Sequence, residues 1–376
     1  MAKKVAIMTF QRAHNYGSIL QAHALQKYIN EKENVDCKVI DFSNAAQQEM
    51  YRVFRKKKTI HNIIRNIITF FLYFPIKRQF DDFNTFIENT LILTDNKFAS
   101  VQELEELDGQ YDVFIAGSDQ VWNVMCPDAD DAYYLNFVKK SDKVAYAPSF
   151  GAENLAVVKK KEIEKYKKYL NSFKALSIRE ENGQKWIVEL IGRKPKLLID
   201  PTLFYDREYW QTLMSPSLFT GKFILYYSFH YSEEINKEVK KISKRLGMPV
   251  VILNARAWVF NGCALHGFKL AKHGGPAEFL RLINDAELVL SNSFHGTVFS
   301  VLFEKKFWFL YGSVQAPLDD RALTLVKQPG IENRVLRIAE IKGKDLMQNI
   351  DYMLVKQRIR KLRDDAFCYV KEYIIE

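Results

Sequence analysis

The chain has 376 residues, too many for one ordinary hydrophobic core, so at least two domains are expected. With 48% apolar and 27% charged residues it is too mixed for intrinsic disorder. A net charge of +10 favours anionic partners without choosing among phosphate-bearing small molecules, nucleic acid and an acidic membrane face.

Cys37, Cys126, Cys263 and Cys368 lie far apart with no CxxC pair, which argues against a metal site or a disulfide framework and for a reducing compartment. Met1–Lys4 runs straight into the apolar Val5–Phe10, which is too short for the core of a secretory leader. No stretch reaches the roughly 20 apolar residues that span a bilayer. The expected location is cytoplasmic, with peripheral contact at the inner face of the membrane left open.

In chain order, Val5–Phe10 reads as a buried strand, Gln11–Ser18 as a polar loop and Ile19–Asn30 as a helix with apolar periodicity. Further strands are predicted at Cys37–Asp41, Asp112–Ala116, Val144–Ala147, Ala175–Ile178 and Leu197–Ile199, and most run into polar loops. After turn residues near Ser215–Gly221 a second series follows. It has strands at Phe223–Ser228, Val250–Leu253, Glu287–Ser291 and Phe307–Leu310, with helices at Glu233–Leu246 and Pro276–Asp285. Strand, loop and helix in repetition is the grammar of a parallel sheet. The expectation is therefore an α/β fold with an N-terminal domain over 1–215 and a C-terminal domain over 216–340. A helix within 341–376 would pack back on the first domain. Two such sheets imply a cleft between their carboxyl ends, where α/β folds bind ligands.

The segment Arg52–Phe80, within a helical insertion around 52–90, joins Arg55, Lys56, Lys57 and Lys58 to the run IIRNIITFFLYF. Two readings stay open: a helix with its apolar face buried, and a basic amphipathic segment lying on an anionic membrane.

Chemistry-bearing residues gather where strands end. The first loop offers Arg12, His14, Asn15, Gly17 and Ser18, with Ser18 placed to cap a helix whose N-terminus suits an anion. No G-x-G-x-x-G is present, which argues against a dinucleotide. Ser118, Asp119, Gln120, Trp122 and Asn123 follow another strand; Asp119 could serve as a base toward a sugar hydroxyl and Trp122 could stack on the ring. Ser149 lies in a third loop. Arg179 ends a strand and is suited to a carboxylate or phosphate, or to a salt bridge with Asp200 or Glu180. Asn292, Ser293, His295, Gly296 and Thr297 lead from a strand into an apolar helix, giving donors, a helix N-terminus and an imidazole together. No metal-ligand constellation emerges; Asp128, Asp130 and Asp131 read as a solvated acidic turn.

The ordered set HNYGSILQAHALQ, GSDQVWN, YAPSFG, SIREENG, DPTLF and ELVLSNSFHGTVFSVLF resembles the polysaccharide pyruvyl transferase family from the first strand to about Arg334. The resemblance implies two Rossmann-like domains arranged as in the GT-B glycosyltransferases, with the donor bound by the second. It implies phosphoenolpyruvate as co-substrate, with no further cofactor. The acceptor would be a sugar or lipid-linked oligosaccharide, and the product a pyruvate ketal on a cell-envelope or capsular glycan. Arg179 matches the family's basic residue in its S-x-R-E/D segment, and His295 the histidine of its HG turn. Many members carry Arg-Leu-His-Gly where this chain has Ser293, Phe294, His295 and Gly296, so Arg321, Arg12 or Lys305 would have to supply that charge. The roles implied are His295 for protonation or phosphate binding, Arg179 for the donor anion and Asp119 for the acceptor hydroxyl. The main rival is a nucleotide-sugar glycosyltransferase of the same architecture, using a carboxylate near Glu278 or Asp285 for ribose. A lectin-like or membrane-scaffold protein would gain nothing from His295. Nucleic-acid binding is the weakest reading, because the basic residues are scattered or tied to apolar runs.

Overall fold

Strand β1 (Lys3–Met8) buries Val5, Ala6, Ile7 and Met8 completely, as a strand covered on both faces must. In the computed structural model, which describes residues 2–56, 59–151, 160–229, 231–312 and 320–376, it is the middle of a five-stranded sheet. The other members are β2 (Val35–Phe42), β3 (Leu93–Phe98), β4 (Val113–Ala116) and β5 (Asp142–Ala145). Their order is β3-β2-β1-β4-β5 and every neighbouring pair is parallel. A short parallel pair, β6 (Ser177–Ile178) and β7 (Lys196–Leu197), continues beside β5 through the bridge of Val144 with Ala175.

The second sheet holds β8 (Ile224–Tyr227), β9 (Val250–Ile252), β10 (Lys269–Leu270), β11 (Leu288–Ser291), β12 (Phe307–Tyr311) and β13 (Val335–Arg337). Its order is β10-β9-β8-β11-β12-β13, again all parallel. β8 and β11 are wholly buried runs, ILYY and LVLS.

Both sheets reverse their winding direction once, between β1 and β4 in the first and between β8 and β11 in the second. Such a reversal parts the two flanking loops and leaves a crevice at the carboxyl ends of the strands, where open α/β sheets bind ligands.

The chain divides into two units, one of residues 1–56, 87–204 and 360–376, the other of 57–86 and 205–359. The first closes around its own C-terminal segment. In the helix Tyr352–Val370, Phe367 stacks on Tyr28 with ring centres 4.4 Å apart, and the Tyr369 hydroxyl donates to the Ala145 carbonyl at 3.0 Å. Within residues 59–90 lie the helices Ile60–Phe71 and Tyr73–Thr90. The helices expected at Glu233–Leu246 and Pro276–Asp285 occupy those residues. The first strand begins and ends two residues earlier than its apolar run suggests, because Thr9 and Phe10 already belong to the loop.

Candidate active site

Each unit carries one cluster of the sequence-selected residues, and each cluster sits on the loops flanking its sheet's reversal.

In the first unit the loop after β1 turns into the helix Tyr16–Asn30. Asn15 caps that helix, its side-chain oxygen accepting from the amides of Gly17 (3.0 Å) and Ser18 (3.5 Å). Ser18, expected as the cap, instead turns its hydroxyl to Asp119 and donates to Oδ2. The other oxygen of Asp119 accepts from the Gln120 amide at 2.8 Å, with Arg179 Nη2 3.6 Å away.

Asp119 has φ of 80°, in the left-handed region that costs a side-chain-bearing residue about 1–2 kcal/mol. Bonds on either side hold it there. Its carbonyl accepts from the Ser149 amide at 2.8 Å, while the Ser149 carbonyl accepts from the Trp122 amide at 3.2 Å. The loop after β5 is bent too, with Ala147 at φ of 44°. Residues pinned in such conformations cluster at functional sites because the neighbouring structure must over-determine them.

Arg179 makes the salt bridge to Asp200 that the sequence offered as one of its two readings. Its side chain is 2% exposed, and Nη1 donates to Asp200 Oδ2 at 2.6 Å. Asp200 also accepts from the Thr202 amide (3.0 Å), the Thr202 hydroxyl (2.6 Å) and the Ser118 hydroxyl (3.3 Å). With a carboxylate on either side, the guanidinium's charge is already balanced within the unit. It fixes Asp119 and Asp200 in place.

Trp122 is also corrected. It has no exposed surface, stacks on Tyr134 at 5.3 Å and 4°, and donates its indole N–H to the Tyr133 carbonyl at 3.1 Å. It is a core residue with no ring face to offer a sugar. Gln120 accepts from Asn123 Nδ2 at 2.9 Å, beside Gly151. His14 lies 5.5 Å from the ring of Tyr51. Arg12 is a bidentate donor to Asp41 at 2.6 and 2.5 Å, a pairing that raises its pKa and already satisfies its charge.

In the second unit Ser293 caps the helix Phe294–Leu302 by accepting from the Gly296 amide at 3.3 Å, and all nine helix residues are buried. His295 lies in the first turn, 4% exposed, edge-on to Phe294. Thr297 donates its hydroxyl to the Ser293 carbonyl at 3.1 Å, and the Ser293 amide donates to Ser291 Oγ at 3.0 Å. Asn292 reaches across the reversal, accepting from the Phe229 amide at 2.8 Å with its side-chain oxygen. The loop after β8 was not singled out from sequence. Its position opposite β11 follows only from the strand order.

Gly296 shows how tightly this turn is built. A Cβ there would lie 2.3 Å from Ser291 Oγ and 3.0 Å from Tyr227 Cδ1. Gly296→Ala is therefore expected to lower stability by about 1–3 kcal/mol through overpacking, read as a lower denaturation midpoint.

Of the residues proposed to replace the missing arginine, Lys305 fails on topology. It precedes β12, at the amino end of a sheet whose carboxyl end bears His295, and its ammonium donates to the Asn284 carbonyl at 2.9 Å. Burial lowers its pKa. The side chain of Arg321 lies outside the described residues.

Among curated proteins no sequence match is found. In fold the chain is similar to a putative UDP-N-acetylglucosamine 2-epimerase from Listeria monocytogenes, with TM-score 0.58 and 10% identity over 99% of this chain and 96% of that one. It is similar to S. aureus MnaA in its UDP co-structure (TM-score 0.57, 11% identity, 100% and 97% covered). The UDP-GlcNAc 2-epimerase from Neisseria meningitidis gives TM-score 0.56 at 11% identity, with 98% and 100% covered. These likenesses establish the fold, two Rossmann-like halves of the GT-B kind. The family model of polysaccharide pyruvyl transferase matches residues 15–313. A match of that extent, taking in the Asp119 loop and the histidine loop alike, makes the chain a member of the polysaccharide pyruvyl transferase family.

Proposed function

We infer that the protein transfers the enolpyruvyl carbon skeleton of phosphoenolpyruvate to two hydroxyls of a sugar, releasing phosphate and leaving a pyruvate ketal. The observation that carries this reading is the placement of the family-matched residues. His295 and Asp119 lie on the loops flanking the two sheet reversals, where this class of fold takes its ligands.

The chemistry balances as follows. A proton is added to the donor's methylene carbon, which becomes the methyl group, and C2 becomes electrophilic. The first acceptor hydroxyl adds to C2 and gives up its proton. Phosphate then leaves with the C2–O electron pair, the second hydroxyl closes the ring, and its proton is taken up by base or phosphate. This sequence needs an acid near the methylene carbon, a base near the acceptor and stabilisation of the departing dianion.

His295, in the first turn of a buried helix, suits the donor: an imidazole can deliver the proton, and the helix N-terminus favours the anion. Asp119 suits the acceptor hydroxyl. Ser18, Gln120 and Arg179 fix its carboxylate, and Arg179 acts here as a positioning residue. The family supports a sugar acceptor, and we propose that it is a sugar or lipid-linked oligosaccharide of a cell-envelope or capsular glycan.

The nucleotide-sugar reading finds less support. Glu278 accepts from the Gly275 amide at 3.0 Å in capping its own helix, and burial raises its pKa. Asp285 accepts from the Ser217 hydroxyl at 3.0 Å and lies 3.4 Å from Arg281. Both carboxylates named for a ribose are thus engaged within the unit. Calorimetry with the full chain tests the choice. Saturable binding of phosphoenolpyruvate, with none for a panel of nucleotide sugars, is expected; the reverse would move the assignment to glycosyl transfer.

A further inference from the structure

The helix Ile60–Phe71 is built the wrong way round for a water-soluble surface. Ile60, Ile63, Ile64, Ile67, Phe70 and Phe71 recur at steps of three and four, and Phe74 continues the row into the next helix. All seven are between 49% and 80% exposed. The less exposed side carries Asn62, Arg65, Asn66, Ile68 and the buried Thr69. A helix packed only for stability puts its apolar stripe against the core. Here the mostly polar side is half-buried and the apolar side is bare. Contiguous apolar surface of this kind marks an interaction site.

The charge around it identifies the occupant. Arg52, Arg55, Lys56, Lys57 and Lys58 lead into the helix, and no aspartate or glutamate lies between Arg52 and Arg78. Further on, Arg65 is on the covered side and Lys77 is paired with Asp81 at 2.5 Å. A second copy joined through this face would bring the same basic cluster, residues 52–58, against itself, since a two-fold contact pairs a patch with its own image. An acid-free basic segment flanking an apolar helix face matches a leaflet of anionic lipid, which accepts the side chains among its acyl chains and the cations at its headgroups. Among the described residues no helix is long and apolar enough to cross a membrane, so the contact would lie along the surface.

We propose that the helix Ile60–Phe71 is a membrane-surface anchor that lays its isoleucine and phenylalanine face into an anionic leaflet. This rests on the helix and the basic residues before it, and stands whether or not the reaction above is correct. If the acceptor is lipid-linked, the anchor also holds the enzyme on the surface that carries its substrate.

Vesicle flotation of the full chain tests it, using vesicles of phosphatidylcholine alone and of phosphatidylcholine doped with phosphatidylglycerol. Binding is expected to the anionic vesicles only and to weaken as salt is raised. Ile67→Glu with Phe71→Glu, two exposed positions, should weaken it by about tenfold or more. Lys56→Glu with Lys57→Glu should weaken it without touching the apolar face. Failure of the wild type to float would overturn the proposal, as would equal binding to both vesicle types or indifference to both double substitutions. A concentration-dependent oligomer that Ile67→Glu with Phe71→Glu dissolves would overturn it in favour of a second copy.

Discussion

Arg179→Met should destabilise the first unit by about 3–5 kcal/mol, because it strips two buried carboxylates of their shared cation. Asp200 is 1% exposed and Asp119 5%, so water cannot take over from the guanidinium without the structure opening. The measurement is chemical denaturation followed by far-UV circular dichroism, with the earliest transition assigned to this unit. Adding Asp200→Asn should recover part of the loss, since it removes one of the stranded charges; that non-additivity separates a charge network from simple loss of volume. If Arg179→Met instead left the transition in place and abolished only phosphoenolpyruvate binding, the arginine would be a donor ligand after all. The hydroxyl and amide donors on both carboxylates set the scale of the penalty. Ser18, Gln120 and Thr202 already satisfy much of their hydrogen-bonding capacity, so the loss is one of charge compensation.

His295→Ala should lower turnover by roughly 10²–10⁴-fold, the usual contribution of a positioned proton donor. The readout is phosphate released from phosphoenolpyruvate in the presence of acceptor. His295→Gln keeps polarity and approximate volume but cannot deliver a proton at neutral pH, so it should be nearly as impaired as the alanine variant. A glutamine variant with near-native turnover and a raised KM would make His295 a phosphate ligand and not the acid. The helix turn should survive either change, since Ser293 caps it through Gly296 and the histidine makes no part of that bond.

Much of this was legible in the residues, and what was not has physical causes. Strands buried on both faces announce themselves as unbroken apolar runs, which is why VAIM, VFIA and LVLS stand out. Edge strands do not. β3 reads LTDNKF with Asp95, Asn96 and Lys97 exposed, and β10 and β13 are only two and three residues long. The loops at strand ends could be found from their small polar residues, but which of them flank a reversal depends on strand order, which local sequence does not encode. For that reason the loop after β8 escaped notice while its neighbour after β11 did not. Trp122 was misjudged because a tryptophan beside Gln and Asn looks exposed until the Tyr133–Tyr134 turn is seen to enclose it. The Arg179–Asp200 bridge is legible from the sequence, but its second carboxylate, Asp119, is 60 positions away along the chain and meets it only through the folded sheet. The apolar run at 60–71 was recognised, but its direction of facing was not, since periodicity fixes a stripe and leaves open which side of the helix the protein covers.

The first unit is assembled from three stretches of chain, and its last, 360–376, lies beyond the whole of 205–359. During translation, therefore, the five-stranded sheet emerges long before the segment that covers one flank of it. Tyr28, Tyr146 and Phe204 gain their partners Phe367 and Tyr369 only when that last segment has been made. The first unit can therefore complete its packing only after the whole of residues 205–359 has been made.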